Sequence, residues 1–177
     1  FHNAHSYFTL NEKFQNYHKS NFENLKVTPP KPMFSQPSTI IMIIGESASR
    51  DFMSAYTNTS NDTTPWMRTM SLQSNFILFK NAYSSWIQTV PALERALTEK
   101  NQYNSIEFNQ SITLLDIAKK AGYTTYWFSN QGIMGGADTP ITMVAKTADH
   151  HAWIEDTLAN TDYMRYDGDL LLSLIHI

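Results

Sequence analysis

Cysteine is absent from the 177 residues, which excludes a disulfide framework and any thiolate metal site. That absence selects no compartment by itself. An excess of one charge is also lacking: 13 basic residues against 16 acidic ones leave a net charge of −3. So even a balance points away from nucleic acid as a partner and from bulk electrostatic attraction to a membrane. Long apolar runs are missing too. The longest, residues 40–44, is strand-sized, far short of the ~20 residues that span a bilayer. Internal repeats and low-complexity tracts are absent, and the polar aromatic start is not expected to be a signal peptide. The chain starts at Phe1, not at methionine, and the expectation is a piece of a longer protein. The last six residues, Leu172-Ser173-Leu174-Ile175-His176-Ile177, match the translated end of a sequencing-library transposon. They are expected to be a non-native tail, which removes His176 as a ligand candidate.

What is present is enough apolar material, 42% of residues, to bury one core. Residues 1–25 are polar and aromatic and read as a lead-in helix. Pro29, Pro30, Pro32 and Pro37 then make an extended linker that cannot be helical. Residues 39–44 are β-branched and apolar on both faces, the pattern of a central parallel strand. Thr64-Pro65 opens a short helix, and residues 76–83 read as a second strand. Thr89 is placed as the cap of a helix to about Lys100, with Leu93, Ala96 and Leu97 as its apolar stripe. Ser111 opens another, with Leu114, Leu115, Ile117 and Ala118 inward and Gly122 at its end. Residues 123–128 form a third strand. This order predicts an α/β fold, a mostly parallel sheet with helices on both faces.

In such sheets ligands bind beyond the carboxyl ends of the strands. Three tips qualify: Glu46, the segment leading to Thr89, and Asn130-Gln131. Glu46 offers hard oxygen ligands to a divalent cation. Thr89 sits where helix amides and the helix dipole favour negative charge, so its alkoxide would be stabilised there. Together they point to phosphoryl or sulfuryl transfer. The same residues also fit a solvated loop carboxylate and a plain helix cap, in a non-catalytic α/β binding domain. Asn130 and Gln131 could hydrogen-bond a head group or close a loop.

The stretch Ile43-Ile44-Gly45-Glu46-Ser47-Ala48-Ser49-Arg50, with Met53-Ser54-Ala55-Tyr56 and Thr63-Thr64-Pro65, resembles the opening motif of bacterial phosphoethanolamine transferases. These are sulfatase-like members of the alkaline phosphatase superfamily. Thr89-Val90-Pro91-Ala92-Leu93 is similar to their nucleophile helix. Leu114-Leu115-Asp116-Ile117-Ala118 through Tyr126-Trp127, with Ser129-Asn130-Gln131, is similar to the helix and strand that follow. The resemblance runs from about Thr39 to Leu170.

It implies that Glu46 ligates Zn2+ and that Thr89 is the nucleophile and a second zinc ligand. It also implies a phosphatidylethanolamine donor and a lipopolysaccharide acceptor, core sugar or lipid A. The catalytic domain, residues 39–171, would stand in the periplasm, with residues 1–38 leading in from an inner-membrane domain. The family's later zinc ligands have no counterpart in this sequence, so the chain alone is expected to be inactive. Asp149-His150-His151 follows Lys146-Thr147-Ala148, not an apolar strand, and is expected to be a surface loop. A sulfatase would carry cysteine or serine where Thr89 stands, so threonine argues against sulfate ester hydrolysis. Another sulfatase-like phosphotransferase or hydrolase is the alternative.

Overall fold

The computed structural model describes residues 2–28, 38–45, 48–130 and 140–153. Two compact units emerge, Phe1–Lys31 with Ser85–Ile177, and Pro32–Ser84.

The first unit holds the core. Helix α1, His2–Asn24, lies where the sequence was read as helical. It buries Phe14 completely. Phe14 stacks on Phe108 at 5.2 Å between ring centres and on His18 at 5.4 Å. Helix α3, Thr89–Leu97, follows, then α4, Leu114–Lys120. Strand β1, Tyr126–Ser129, pairs in parallel with β2, His150–Trp153, and α5, Pro140–Ala145, lies between them in sequence. The register sets Tyr126 opposite His150 and Ser129 opposite Trp153. Parallel strands need such a crossover connection. Phe14, Leu97, Phe108, Met143 and Val144 form the buried cluster, with Leu10, Leu93, Leu115, Trp127 and Ile141 packed against it.

Helix α4 has the clearest local logic. The Thr113 hydroxyl accepts from the Asp116 amide at 3.1 Å, and the Asp116 carboxylate accepts from the Thr113 amide at 2.9 Å. This reciprocal box satisfies two amides that a helix start would orphan. Gly122, at φ +93°, ends the helix in a conformation that side chains resist. Two sequence expectations change here. Ser111 does not open the helix; Thr113 caps it. The buried residue is Asp116, while Leu114 and Ile117 are 39% and 43% exposed. The carboxylate can be buried because the Thr113 amide, the Thr113 hydroxyl and His18 Nε2 all bond to it.

The second unit contains α2, Pro65–Met70, after Thr64 as expected, and a 3-10 turn at Arg50–Phe52. Residues 39–44 and 76–83 were expected as strands, yet neither run joins a ladder among the described residues. Ile43 is 89% exposed. β-Branched composition favours extended backbone, but a strand exists only with a partner to share its hydrogen bonds. Arg50 donates to the Lys80 carbonyl at 2.6 Å and lies over the Tyr83 ring. Among the described residues no helix is long and apolar enough to cross a membrane.

Candidate active site

Thr89 occupies the first position of α3, and Gln88 is the cap. The sequence reading placed Thr89 itself as the cap. Gln88 has extended backbone, and its carbonyl accepts from the Ala92 amide at 3.1 Å. The shift by one residue leaves the Thr89 side chain exposed. The first-turn amides point out of this end of the helix, and Pro91 has no amide to lose there. Further along, Leu93 and Leu97 pack into the core cluster with Met143 and Val144 of α5. Ala96, expected inward, is exposed. The helix that carries Thr89 is therefore held by Leu93 and Leu97 in the core while Thr89 itself is exposed.

Two residues flank that turn, Trp86, whose nearness to Thr89 is already visible in the sequence, and Arg95, which the motifs do not include. Arg95 folds back along α3, its Nη1 donating to the Pro91 carbonyl at 2.7 Å. Its guanidinium carbon lies 4.6 Å from the centre of the Trp86 ring. Spacing could have flagged the first contact, since Pro91 and Arg95 are one helical turn apart. The contact with Trp86 requires the loop geometry.

Of the other candidates, Asn130 follows β1 and is half-buried. Thr89 and Asn130 belong to the same compact unit. Glu46 and Gln131 lie outside the described residues.

Asp149-His150-His151 is not the loop expected from its polar lead-in: His150 and His151 begin β2. The strand was hidden because its pairing partner lies 24 residues earlier in the chain (150 minus 126). Asp149 is committed to structure. Its carboxylate accepts from the Thr125 amide and hydroxyl, both at 2.8 Å, and faces Lys119 Nζ at 3.5 Å. The hydrogen bond from the Thr125 amide chiefly holds its pKa below the ordinary carboxylate range, against burial and with help from the Thr125 hydroxyl and Lys119. His150 stacks on Tyr126 and His151 meets Trp153 edge-on. Among the described residues no three histidines, aspartates or glutamates gather as a metal site.

The sulfatase family profile matches residues 38–175. The chain belongs to the sulfatase family. Its relatives include phosphoethanolamine transferases. It is 30% identical over 138 residues to phosphoethanolamine transferase EptC of Escherichia coli strain K12, covering 77% of this chain and 24% of that protein. It is 29% identical over 136 residues to phosphoethanolamine transferase CptA of Salmonella typhimurium, covering 76% and 23%. The crystal structure of the C-terminal periplasmic domain of Escherichia coli EptC, in complex with zinc, superposes with a TM-score of 0.73 at 26% identity. That match covers 85% of this chain and 43% of the solved one. The sulfatase-family chain thus has the α/β fold of that domain, with a parallel sheet and helices. It spans about a quarter of the length of the curated relatives it matches.

Proposed function

We propose that this sulfatase-family chain is part of the catalytic domain of a phosphoethanolamine transferase in which Thr89 carries the transferred group. Residues 39–171 would belong to that domain, facing the periplasm, and residues 1–38 would lead in from an inner-membrane domain. The donor is phosphatidylethanolamine, and the acceptor is the core sugar or lipid A of lipopolysaccharide. The observation that carries the reading is an exposed threonine at the first position of a core-anchored helix.

In the first step Thr89 Oγ bonds to phosphorus as the phosphorus–oxygen bond to diacylglycerol breaks, and the hydroxyl proton passes to the departing diacylglycerol oxygen. In the second an acceptor oxygen displaces Thr89. The amides of the first turn and the helix dipole stabilise negative charge at the place where it builds. Asn130, beyond the end of β1, and Gln131 would hydrogen-bond the head group.

The donors fit zinc in part. Thr89 would offer its hydroxyl oxygen to a cation, and Glu46 would add a carboxylate. Two oxygens fall short of the three protein ligands usual for a catalytic zinc, so the remainder would come from residues other than those described. When bound, zinc supplies Lewis acidity that lowers the hydroxyl pKa and neutralises phosphoryl charge.

The test is Thr89→Ala in the full-length protein, with labelled phosphatidylethanolamine as donor. Transfer and the threonine-bound phosphoethanolamine seen by mass spectrometry should both vanish. Thr89 is exposed and is not the cap, so stability should move by only about 0.5 kcal/mol or less. Continued transfer by Thr89→Ala would remove the nucleophile assignment.

A further inference from the structure

We infer that Trp86 and Arg95 are a positioning pair that sets the direction of the Thr89 hydroxyl. The inference rests on the reading of Thr89 as nucleophile. Trp86 stands three residues before Thr89 and Arg95 six after it. The segment entering α3 has little burial of its own: Trp86 is 46% exposed and Ile87 98%. The helix after it is anchored by Leu93 and Leu97. Arg95 bridges the two. Its guanidinium covers the Trp86 ring at 4.6 Å and binds the Pro91 carbonyl at 2.7 Å.

The geometry carries a cost that marks it as held in place. Arg95 Nε is buried and has no hydrogen-bond partner among the described residues. Burying a donor unsatisfied is unfavourable, so the ring face and the carbonyl together must outweigh it. An arginine serving only as surface charge would turn that donor to water. The result is a clasp around the turn that presents Thr89. Attack on phosphorus needs the oxygen aligned with the leaving group, and a misplacement of ~1 Å can cost about 100-fold in rate. A loosened clasp should therefore slow the chemical step and leave donor binding nearly untouched.

The experiment measures kcat and KM for head-group transfer in the full-length protein, with fluorescent phosphatidylethanolamine in detergent micelles as donor. Trp86→Leu and Arg95→Met should each lower kcat about 10- to 100-fold, with KM within about twofold of the parent. Trp86→Phe, which keeps an aromatic face for the guanidinium, should hold kcat close to the parent. The double variant Trp86→Leu with Arg95→Met should be no slower than the worse single one, because both break one contact. The inference is overturned if leucine serves as well as phenylalanine, if KM moves while kcat does not, or if the two losses multiply. Trp86 is about half exposed, so its variants keep the question answerable even where Arg95→Met fails to fold. Thr89→Ala in the same assay separates the two ideas. Full transfer by that variant removes the nucleophile, whereas an inactive Thr89→Ala beside a fully active Arg95→Met removes only the clasp.

Discussion

His18 Nε2 and Asp116 Oδ1 stand 2.8 Å apart and join α1 to α4 across 98 positions of sequence. The carboxylate is 1% exposed. It also accepts from the Thr113 amide at 2.9 Å and the Thr113 hydroxyl at 2.8 Å. His18 lies between the rings of Phe14 and Phe22, and Lys119 and Lys120 cover the Phe22 ring. One aspartate thus caps a helix and ties down another.

Removing that carboxylate strands three donors. Asp116→Ala should lower the unfolding free energy by about 3 kcal/mol, in the range for breaking one side of a buried pair. Thr113→Ala removes the cap and should cost about 1 kcal/mol. The two share their hydrogen bonds, so the double variant should lose less than the sum. Urea unfolding, followed by circular dichroism, measures all three. A loss at Asp116→Ala no larger than that at Thr113→Ala would mean that His18 adds nothing.

The same group predicts a pH dependence. Burial alone would raise the pKa of Asp116, but the bonds from His18 and Thr113 and the charge of His18 outweigh it and hold the pKa below its ordinary value. A depressed folded value means that the unfolded chain binds the proton more readily. The stabilisation is complete above the ordinary value of ~4 and is lost as pH falls below it, through the folded value. The urea midpoint should therefore fall on acidification below about pH 4. Asp116→Asn should flatten that part of the profile, and an unchanged slope would refute the assignment.

Gly122 isolates a backbone effect. A Cβ built there meets nothing within 4 Å, so space is not the constraint. The constraint is φ +93°. Gly122→Ala should cost about 1–2 kcal/mol from the left-handed conformation alone, and Gly122→Asn should cost less because asparagine tolerates that region. Thermal unfolding of the two variants gives the order directly. An alanine variant as stable as the parent would show that the turn re-forms without the left-handed residue.

The sequence already carried the features set by neighbours within a turn or two. The Thr89-Val90-Pro91 start of α3 and the glycine that ends α4 were readable because capping, proline and glycine act over a few residues. The error of one residue at Thr89 is of the same local kind: Gln88 has the extended backbone that makes it the cap. The box between Thr113 and Asp116 was present as a spacing of three and could have been read. Burial of Asp116 could not, because the partner that permits it lies in α1.

The remaining misreadings share that cause. Residues 39–44 have a strand's composition and no ladder partner among the described residues, whereas the polar pair His150-His151 is in a strand because Tyr126 and Trp127 stand beside it. Composition records a preference for extension, and only pairing turns it into a sheet.

By itself, then, the order of residues determined that helices stand near Thr89 and before Gly122, the α/β class and the candidate Thr89, since each depends on backbone preferences within a few positions. Tertiary structure alone decided that Asp116 is buried, that His150 is in a strand and that Arg95 lies over Trp86. Each of those depends on groups brought together by folding, and the free energy of a contact has no trace in either partner's local sequence.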